Sequence, residues 1–483
     1  MRWSYIIHIN GILLIFLGVA MGLPLLCSFY FHDMAHVGLI KSMGITAGTG
    51  ALMFLLSKRT GLDHYINQKE GMAVVALGWT AIGLFGALPF YFGPEFANFT
   101  DAFFESISGF TTTGSSVMTN IEGASKSLLL WRSFIQWLGG MGIIVLSLAI
   151  LPFLGVGGIQ LYKAEVPSPV PDKLTPRLSD SAKILWVVYA GISVFEIIFL
   201  LAGGMSLFDS VCHTFTTMPT GGFSPKNSSI ASYNSAYFDY VIVIFMVLAG
   251  INFSLHYQML RGKTLAFWKD SECRFFLILT AVLTLMVTWD IYGSVYESLS
   301  EAFRYAVFQI VSIITTTGFA TADYEKFPGL SQVIIFMCMF IGACAGSTGG
   351  GMKCARIMAC FKYCYRELFK LIHPRSVAQV RINNHVIPDE LLRSIMGFLA
   401  LYIGLFIISS ILLACLGVDM MTSLGAVAAC IGNIGPGFGT VGPVENFAHM
   451  PVLGKWLLAW CMLLGRLEIY TVIILFVPEF WKK

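Results

Sequence analysis

Long apolar stretches, separated by short polar connections, recur along the whole chain. Each stretch holds roughly 18 or more mostly apolar residues, which is long enough to cross a membrane as a helix. We predict ten such crossings, at residues 5–31, 36–57, 71–94, 132–155, 184–205, 238–260, 275–293, 330–360, 392–416 and 454–478. An even number of crossings places both termini on the same side of the membrane.

Four shorter apolar stretches lie between pairs of these crossings, and each leads into a polar motif that ends in glycine. The predicted short helices are Ala102–Phe110, Phe208–Thr217, Phe303–Ile314 and Thr422–Cys430. They are too short to span a bilayer, so we expect each one to enter the membrane and turn back. Backbone of this kind is tolerated at membrane depth only where it is buried in protein or lines water.

The four motifs share one register. Their terminal glycines, roughly a hundred residues apart, indicate an internal repeat, and they are Gly114, Gly222, Gly318 and Gly435. The position two residues before the glycine is polar in every motif, and the position six residues before it is small. Ordinary glycine turns that cap helices are the alternative, but four in one register and one setting favour a repeated unit.

The motifs have the chemistry of a cation site. A ring of backbone carbonyl oxygens can replace the water around a cation, and glycine permits the left-handed backbone that turns carbonyls inward. The C-terminal end of each short helix adds partial negative charge. No acidic residue lies in the motifs, which suits a monovalent cation better than Ca²⁺. The predicted filter residues are Thr112, Thr113, Gly114, Thr220, Gly221, Gly222, Thr316, Thr317, Gly318, Asn433, Ile434 and Gly435.

Composition and charge agree with a membrane protein and orient it. Of the 483 residues, 56% are hydrophobic and 12% are charged, which excludes an ordinary soluble domain. Lysine and arginine concentrate on the side of the membrane that holds the termini, and basic residues favour the cytoplasm. We therefore place both termini in the cytoplasm and interpret these residues as topology signals rather than as a nucleic-acid site. The opposite side keeps only Lys41, Lys126, Arg132, Lys226, Arg304, Lys326 and Lys455.

A run of glycines interrupts the predicted crossing at 330–360. Glycine destabilises a helix by up to about 1 kcal/mol relative to alanine, and a broken helix at membrane depth should face the pore. Close helix packing through small residues is the alternative, whereas a phosphate loop is disfavoured because the Gly-Lys-Ser/Thr order is absent. We predict a flexible loop that obstructs permeation, formed by Gly346, Ser347, Thr348, Gly349, Gly350 and Gly351.

Arg466 lies near the middle of the last predicted crossing. An unpaired charge there costs at least about 2.5–3.5 kcal/mol, and Glu468 would not face it on a helix. We expect Arg466 to face the pore as a fixed positive barrier, and the alternative is an ion pair with another helix. Near the predicted outer loops, Asp101, Glu105 and Asp209 are expected to cap or orient the short helices rather than to bind ions.

These motifs resemble those of a known group of transporters. The runs 110–114, 221–224 and 315–319, two extra N-terminal helices and four helix–pore loop–helix units resemble the Trk/Ktr/HKT superfamily of potassium transporters, and within it the bacterial TrkH/TrkG subunits. The resemblance covers essentially the whole chain. It implies potassium uptake across the inner membrane through one pore per subunit, a homodimer and a cytoplasmic, TrkA-like nucleotide-binding partner. In this superfamily the filter glycine is tied to potassium preference.

We therefore expect an all-α polytopic membrane protein with four repeats around one pseudo-fourfold pore. The expected units are 1–69 for the extra helices, and 70–160, 161–272, 273–371 and 372–483 for the repeats. The sequence has no Ser/His/Asp set, metal–thiolate cluster or dinucleotide fingerprint, so we expect no enzyme and no covalent cofactor, with nucleotide bound only by the partner. A symporter that couples K⁺ to H⁺ or Na⁺ is the alternative, although such folds usually have inverted halves.

Overall fold

The computed structural model describes residues 1–57, 68–145, 178–383 and 385–482, and these residues are almost entirely helical. One small antiparallel sheet pairs Arg381–Ile382 with His385–Val386. The α-helices are Trp3–Ala20, Gly22–Phe31, His36–Leu56, Gln68–Gly86, Leu88–Tyr91, Phe99–Phe110, Lys126–Val145, Leu178–Ala202, Leu207–Thr217, Ala236–Gly250, Phe253–Leu260, Ala266–Lys269, Ser271–Ile291, Leu299–Ile314, Gly329–Cys338, Cys354–Ile372, Asp389–Cys415, Met420–Gly432, Val452–Arg466, Tyr470–Ile473 and Pro478–Trp481.

Six helical stretches are long and apolar enough to cross a membrane, and the number rises to eight if two bent helix pairs each count as one span. The described residues therefore support several crossings without reaching the predicted ten. The predicted crossing at 132–155 begins within the helix Lys126–Val145, and its last part lies outside the described residues. The six stretches are Trp3–Phe31, His36–Leu56, Lys69–Tyr91, Ala182–Ala202, Ser271–Ile291 and Asp389–Cys415.

Two predicted crossings are wrong as straight helices, because the chain bends sharply within them. The bend within 238–260 measures 100°, and Asn252 starts the second helix there by accepting the backbone N–H of Ser254 at 2.8 Å. The bend within 454–478 measures 114°. It follows Arg466, where Glu468 and Ile469 have positive φ angles of 59° and 24° that no α-helix contains.

The predicted crossing at 330–360 is helical only at its ends. The helix Gly329–Cys338 stops before the glycine-rich run, and the next helix, Cys354–Ile372, begins after it. The predicted interruption is therefore confirmed. Within the interruption, Gly346 and Gly351 have left-handed φ angles of 71° and 62°, which glycine adopts readily.

The four predicted short helices are confirmed, and all begin earlier than predicted. We call Phe99–Phe110, Leu207–Thr217, Leu299–Ile314 and Met420–Gly432 short helices 1 to 4. Three of them start at a polar N-cap, because Asn98, Ser206 and Asp419 each accept a backbone N–H three residues ahead at 2.9–3.1 Å.

The short helices lie inside the molecule, and the long helices surround them. Every residue from Ala102 to Phe110 is buried. The long helices instead expose large apolar side chains, such as Val19, Phe195 and Trp289. Large exposed apolar surface of this kind is what a lipid-facing exterior requires. The glycine motifs at the ends of the short helices are consequently held in the centre of the protein.

Candidate functional site

All four short helices end in the same hydrogen-bonding pattern. The backbone N–H two residues before each motif glycine bonds to the carbonyl three residues back, at 2.9–3.3 Å, and the next N–H bonds to the carbonyl five residues back, at 2.8–2.9 Å. This pair of bonds defines a Schellman cap. The bonds to the carbonyl five residues back join Thr113 to Ser108, Gly221 to Thr216, Thr317 to Ser312 and Ile434 to Ala429. The residues that accept them are those at the small position in the sequence register.

The polar position of the register is the left-handed residue of each cap. Its φ is 51° at Thr112, 57° at Thr220, 59° at Thr316 and 53° at Asn433. Asparagine tolerates this region, whereas a β-branched threonine in it is a genuine outlier. Such strained backbone persists only where the surrounding structure holds it in place, and it clusters at functional sites. The sequence pattern found the position but not its conformation.

The segments that follow the caps close a ring. We call Thr111–Gly114, Met218–Gly222, Thr315–Gly318 and Asn433–Gly435 loops 1 to 4. Each motif glycine has a positive φ, between 74° and 110°, and each faces the carbonyl oxygen of the residue before the glycine of the next loop. If the motif glycine carried a Cβ, that atom would lie too close to the facing oxygen for an ordinary contact. The distances would be 2.2 Å from Gly114 to the Gly221 oxygen, 1.9 Å from Gly222 to the Thr317 oxygen, 1.8 Å from Gly318 to the Ile434 oxygen and 2.9 Å from Gly435 to the Thr113 oxygen.

The glycines of the four loops also line one cavity of about 80 Å³. Residues that follow the glycines, such as Ser115 and Pro436, line it too. The Ser115 hydroxyl donates to the carbonyl of Gly435 at 2.9 Å and so joins loop 1 to loop 4. The structure thus brings all twelve predicted filter residues into a single ring of four loops, with an opening on the side of the terminal glycines.

Two buried side-chain oxygens at the other side of the ring lack a hydrogen-bond partner among the described residues. They are Thr112 Oγ1 and Asn433 Oδ1, both at the left-handed position. The Asn433 amide is held on its other side, because Nδ2 donates to Thr113 Oγ1 and to the Met462 carbonyl, both at 2.9 Å. Unpaired buried oxygens are costly, and a cation or its water shell would satisfy these two.

Gln136 supports loop 2 and was not recognised in the sequence. Its side chain is fully buried, Nε2 donates to the Gly221 carbonyl at 2.7 Å, and Oε1 accepts the Phe223 N–H at 3.2 Å. A larger residue would not fit at Gly221, because a Cβ there would lie 2.5 Å from the Gln136 side chain. The contact joins residues that are 85 positions apart, so no local pattern could reveal it.

The expectation that Glu105 orients a short helix is confirmed. Arg132 Nε donates to Glu105 Oε1 at 2.5 Å, and both side chains are buried. Arg132 Nη1 also donates to the carbonyl of Ser224, just beyond loop 2, at 2.9 Å. This ion pair therefore ties short helix 1 to the outer end of the neighbouring loop. Asp101 is engaged as well, since its carboxylate pairs with Lys455 at 2.6 Å.

The glycine-rich segment lies against the inner side of the ring. Thr348 Oγ1 donates to the Met218 carbonyl in loop 2 at 2.9 Å, and the Gly350 N–H donates to Thr316 Oγ1 in loop 3 at 2.6 Å. A Cβ on Gly350 would lie 2.6 Å from the Gly432 carbonyl, at the end of short helix 4. The segment Gly346–Gly351 thus contacts loop 2, loop 3 and the end of short helix 4, on the side of the ring opposite the cavity.

Arg466 contacts this same segment, and the structure corrects its position in the helix. It is the last residue of Val452–Arg466, before the 114° bend, rather than the middle of a straight crossing. Its Nη1 donates to the Thr348 carbonyl at 2.8 Å, while Nε and Nη2 are buried and have no hydrogen-bond partner in the described part of the chain. Among the described residues it forms no ion pair, because Glu468 pairs with Arg356 instead. The two predicted gate elements, Arg466 and the segment Gly346–Gly351, are therefore in direct contact.

The arrangement can bind a weakly solvated cation through oxygen atoms. The ring presents backbone carbonyls and hydroxyls and no carboxylate, and the four short helices direct their partially negative C-termini at it. Within the described ranges, no group of three or more His, Cys, Asp or Glu residues could hold a metal ion. A ring of this composition suits a passing monovalent ion rather than a resident divalent one.

Comparison with known proteins gives a consistent family. A family model named TrkH and described as a cation transport protein matches residues 40–483. The chain is 41% identical to a Trk system potassium uptake protein TrkH of Halomonas elongata and 38% identical to one of Escherichia coli, with full coverage of both proteins in each case. The crystal structure of the potassium transporter TrkH from Vibrio parahaemolyticus matches with a TM-score of 0.91 and 35% identity, over all of both chains.

The match therefore extends over nearly the whole sequence and over the whole fold. The six to eight apolar spans and the structural match agree on one architecture of packed, membrane-crossing helices. The chain is a helical, multi-pass membrane protein that belongs to the TrkH family of cation transport proteins.

Proposed function

We propose that this chain carries potassium ions into the cell through a gated, channel-like pore whose selectivity filter is the ring of loops 1 to 4. Relatives with 37–41% identity are potassium uptake proteins by name, which fits the expectation of a transporter and not an enzyme. The observation that carries the proposal is the closed ring, in which each motif glycine meets the carbonyl of the next loop. K⁺ is the substrate, and no resident cofactor takes part.

The filter would act through its backbone. The carbonyls of Thr113, Gly221, Thr317 and Ile434 each face the motif glycine of a neighbouring loop, and each lies beside a Schellman cap that would fix its direction. Rings of carbonyls select potassium by replacing its hydration shell. Unpaired oxygens at Thr112 and Asn433 would receive the ion on the inner side of the ring.

The gate would be the segment Gly346–Gly351 together with Arg466. The segment occupies the inner side of the ring, and the Arg466 guanidinium lies against its Thr348 carbonyl. A fixed positive charge below the filter opposes the passage of a cation. Opening requires both the segment and the guanidinium to leave the ion path.

The finer architecture is also a proposal. The eight possible spans become ten if Lys126–Val145 is one crossing and if Gly329–Cys338 with Cys354–Ile372 is another. The identical caps at four places support four repeats around a pseudo-fourfold axis, with units at 70–160, 161–272, 273–371 and 372–483. The distribution of basic residues supports cytoplasmic termini in the bacterial inner membrane.

Two partners follow from the resemblance to the Trk/Ktr/HKT superfamily. We propose that the chain works as a homodimer, and that a cytoplasmic nucleotide-binding subunit regulates it. Membrane lipid surrounds it, and nucleic acid is not a partner. Purification in mild detergent with and without the regulatory subunit, followed by mass measurement in solution, tests both assemblies. A monomer of 53.1 kDa that never binds that subunit would contradict them.

Reconstitution in liposomes tests the transport mechanism. With K⁺, Na⁺ and H⁺ gradients imposed separately, the current should reverse at the potassium equilibrium potential and ignore the other two gradients. A reversal potential displaced by the proton or sodium gradient would show coupled symport and overturn the channel mechanism. Arg466→Ala serves as the test of the gate, because removing the positive charge should raise the potassium flux while the protein still assembles.

A further inference from the structure

One buried carboxylate holds both ends of the glycine-rich segment. Glu272 lies in the first turn of the helix Ser271–Ile291 and is 7% exposed. Its Oε1 accepts the backbone N–H of Ala345 at 2.7 Å and that of Ala355 at 2.9 Å. These two residues lie on either side of the segment Gly346–Gly351, so a single oxygen atom bonds to both ends of the nine-residue stretch 346–354.

The second of these bonds also starts a helix. Ala355 is at the beginning of Cys354–Ile372, whose N-cap is Lys353, and a lysine ammonium cannot accept a hydrogen bond. The Ala355 N–H, which has no partner within its own helix, is instead satisfied by Glu272 from another helix. Both bonds end on the same carboxyl oxygen, which accepts hydrogen bonds whether or not the carboxyl group is ionised.

The segment has further anchors at its base, where the Cys344 N–H donates to the Gly250 carbonyl at 3.0 Å and the Gly346 carbonyl accepts the Phe253 N–H at 3.1 Å, and it has others at its apex. Thr348 and Gly350 bond to loops 2 and 3, and Arg466 bonds to the Thr348 carbonyl. Lys353 Nζ reaches back to the Gly349 carbonyl. When the apex leaves the ring, those apical bonds break, and the base is then all that defines where the segment returns. At the base, Glu272 is the side chain that bonds to both flanks of the segment, in addition to the backbone bonds at Cys344 and Gly346.

We propose that Glu272 is a positioning residue of the gate. It fixes both ends of the glycine-rich segment so that the apex sits against the filter, and its loss lets the segment spend more time away from the ion path. This inference rests on the proposed function of that segment as an obstruction. It assigns a role to a residue outside the filter, the segment and Arg466.

The protein carries its own reporter for this motion. Cys344 precedes Ala345 and is 1% exposed in the closed arrangement. A segment that swings at its base uncovers this thiol to a small water-soluble maleimide. In a variant that keeps Cys344 as its single cysteine, the labelling rate measures the population of the open arrangement, since reaction of a buried group follows local opening.

Glu272→Ala and Glu272→Gln are tested beside Asp270→Asn in liposomes without any regulatory subunit. The Asp270→Asn variant removes a carboxyl group at the same end of the same helix. Asp270 caps that helix by accepting the Cys273 backbone N–H at 2.8 Å, and it has no bond to the segment. Glu272→Ala should raise both the potassium flux and the Cys344 labelling rate by about tenfold, because two hydrogen bonds from the segment's flanking backbone are lost. Glu272→Gln keeps an acceptor oxygen and should give a smaller rise.

The K⁺/Na⁺ ratio separates this role from general loosening. It should stay at the wild-type value in both Glu272 variants, because the filter ring is untouched, and Asp270→Asn should leave flux and labelling unchanged. Wild-type flux and labelling in folded Glu272→Gln and Glu272→Ala, with raised flux in Arg466→Ala, would overturn the role of Glu272 alone. Unchanged flux in Arg466→Ala as well would overturn the gate itself.

Discussion

Gly222→Ala should abolish most of the potassium preference while the protein still assembles. Gly222 has a φ of 74°, and a Cβ there would lie 1.9 Å from the Thr317 carbonyl oxygen, whereas real Cβ contacts essentially never fall below 3.0 Å. Loop 2 or loop 3 must therefore move by about 1 Å, and overpacking of this kind costs about 1–3 kcal/mol. If the whole cost destabilises the ring in the arrangement that binds potassium, it corresponds to about a 5- to 150-fold loss in selectivity.

The assay is the ratio of K⁺ to Na⁺ uptake into liposomes that contain equal amounts of folded protein. Gly204→Ala is the matched control, because Gly204 also has a positive φ, of 92°, but a Cβ there meets nothing within 4 Å. It should keep the wild-type ratio. Gly435→Ala should lie between the two, since its Cβ would be 2.9 Å from the Thr113 carbonyl. A wild-type ratio in Gly222→Ala, or an equal loss in Gly204→Ala, would refute the reasoning.

Three further predictions concern the supports of the ring. Arg132→Ala leaves the buried Glu105 carboxylate unpaired and should cost about 3–5 kcal/mol of stability, seen as a lower thermal midpoint in detergent; an unchanged midpoint contradicts this. Gln136→Leu removes the donor to the Gly221 carbonyl and should lower the K⁺/Na⁺ ratio more than the yield of folded protein. At short helix 4, a backbone N–H lowers the pKa of the Asp419 carboxyl below 3.8, so its ionised form stabilises the fold above that pH. The difference in thermal midpoint between wild type and Asp419→Asn should therefore vanish as the pH falls below 3.8, and a pH-independent difference would argue against it.

The repeated loops could be predicted because their signal is local and occurs four times. The polar residue two positions before the glycine, as at Thr112 and Asn433, is the left-handed residue of each cap. The small residue six positions before the glycine accepts, through its carbonyl, the N–H of the residue just before the glycine. The glycine run at 346–351 was visible for a similar reason, since consecutive glycines disfavour a helix whatever the tertiary context.

Other features depend on contacts between distant parts of the chain. Gln136 and Glu272 look like ordinary polar residues in the sequence, and only the packing shows that they hold loop 2 and the glycine-rich segment. The position of Arg466 was misjudged because hydropathy does not reveal a bend. The apolar run continues through Ile469, but its φ of 24° turns the chain away from the helix axis.

The closure of loop 4 onto loop 1 has a consequence for biosynthesis. Asn433 bonds to Thr113 across 320 positions of sequence, and at about 5–20 residues per second their syntheses are separated by tens of seconds. During that interval loop 1 carries its strained threonine with an incomplete set of neighbours. The ring can form only when the C-terminal part of the chain has been made, so a truncated chain that lacks loop 4 would insert its earlier helices without ever completing the ring.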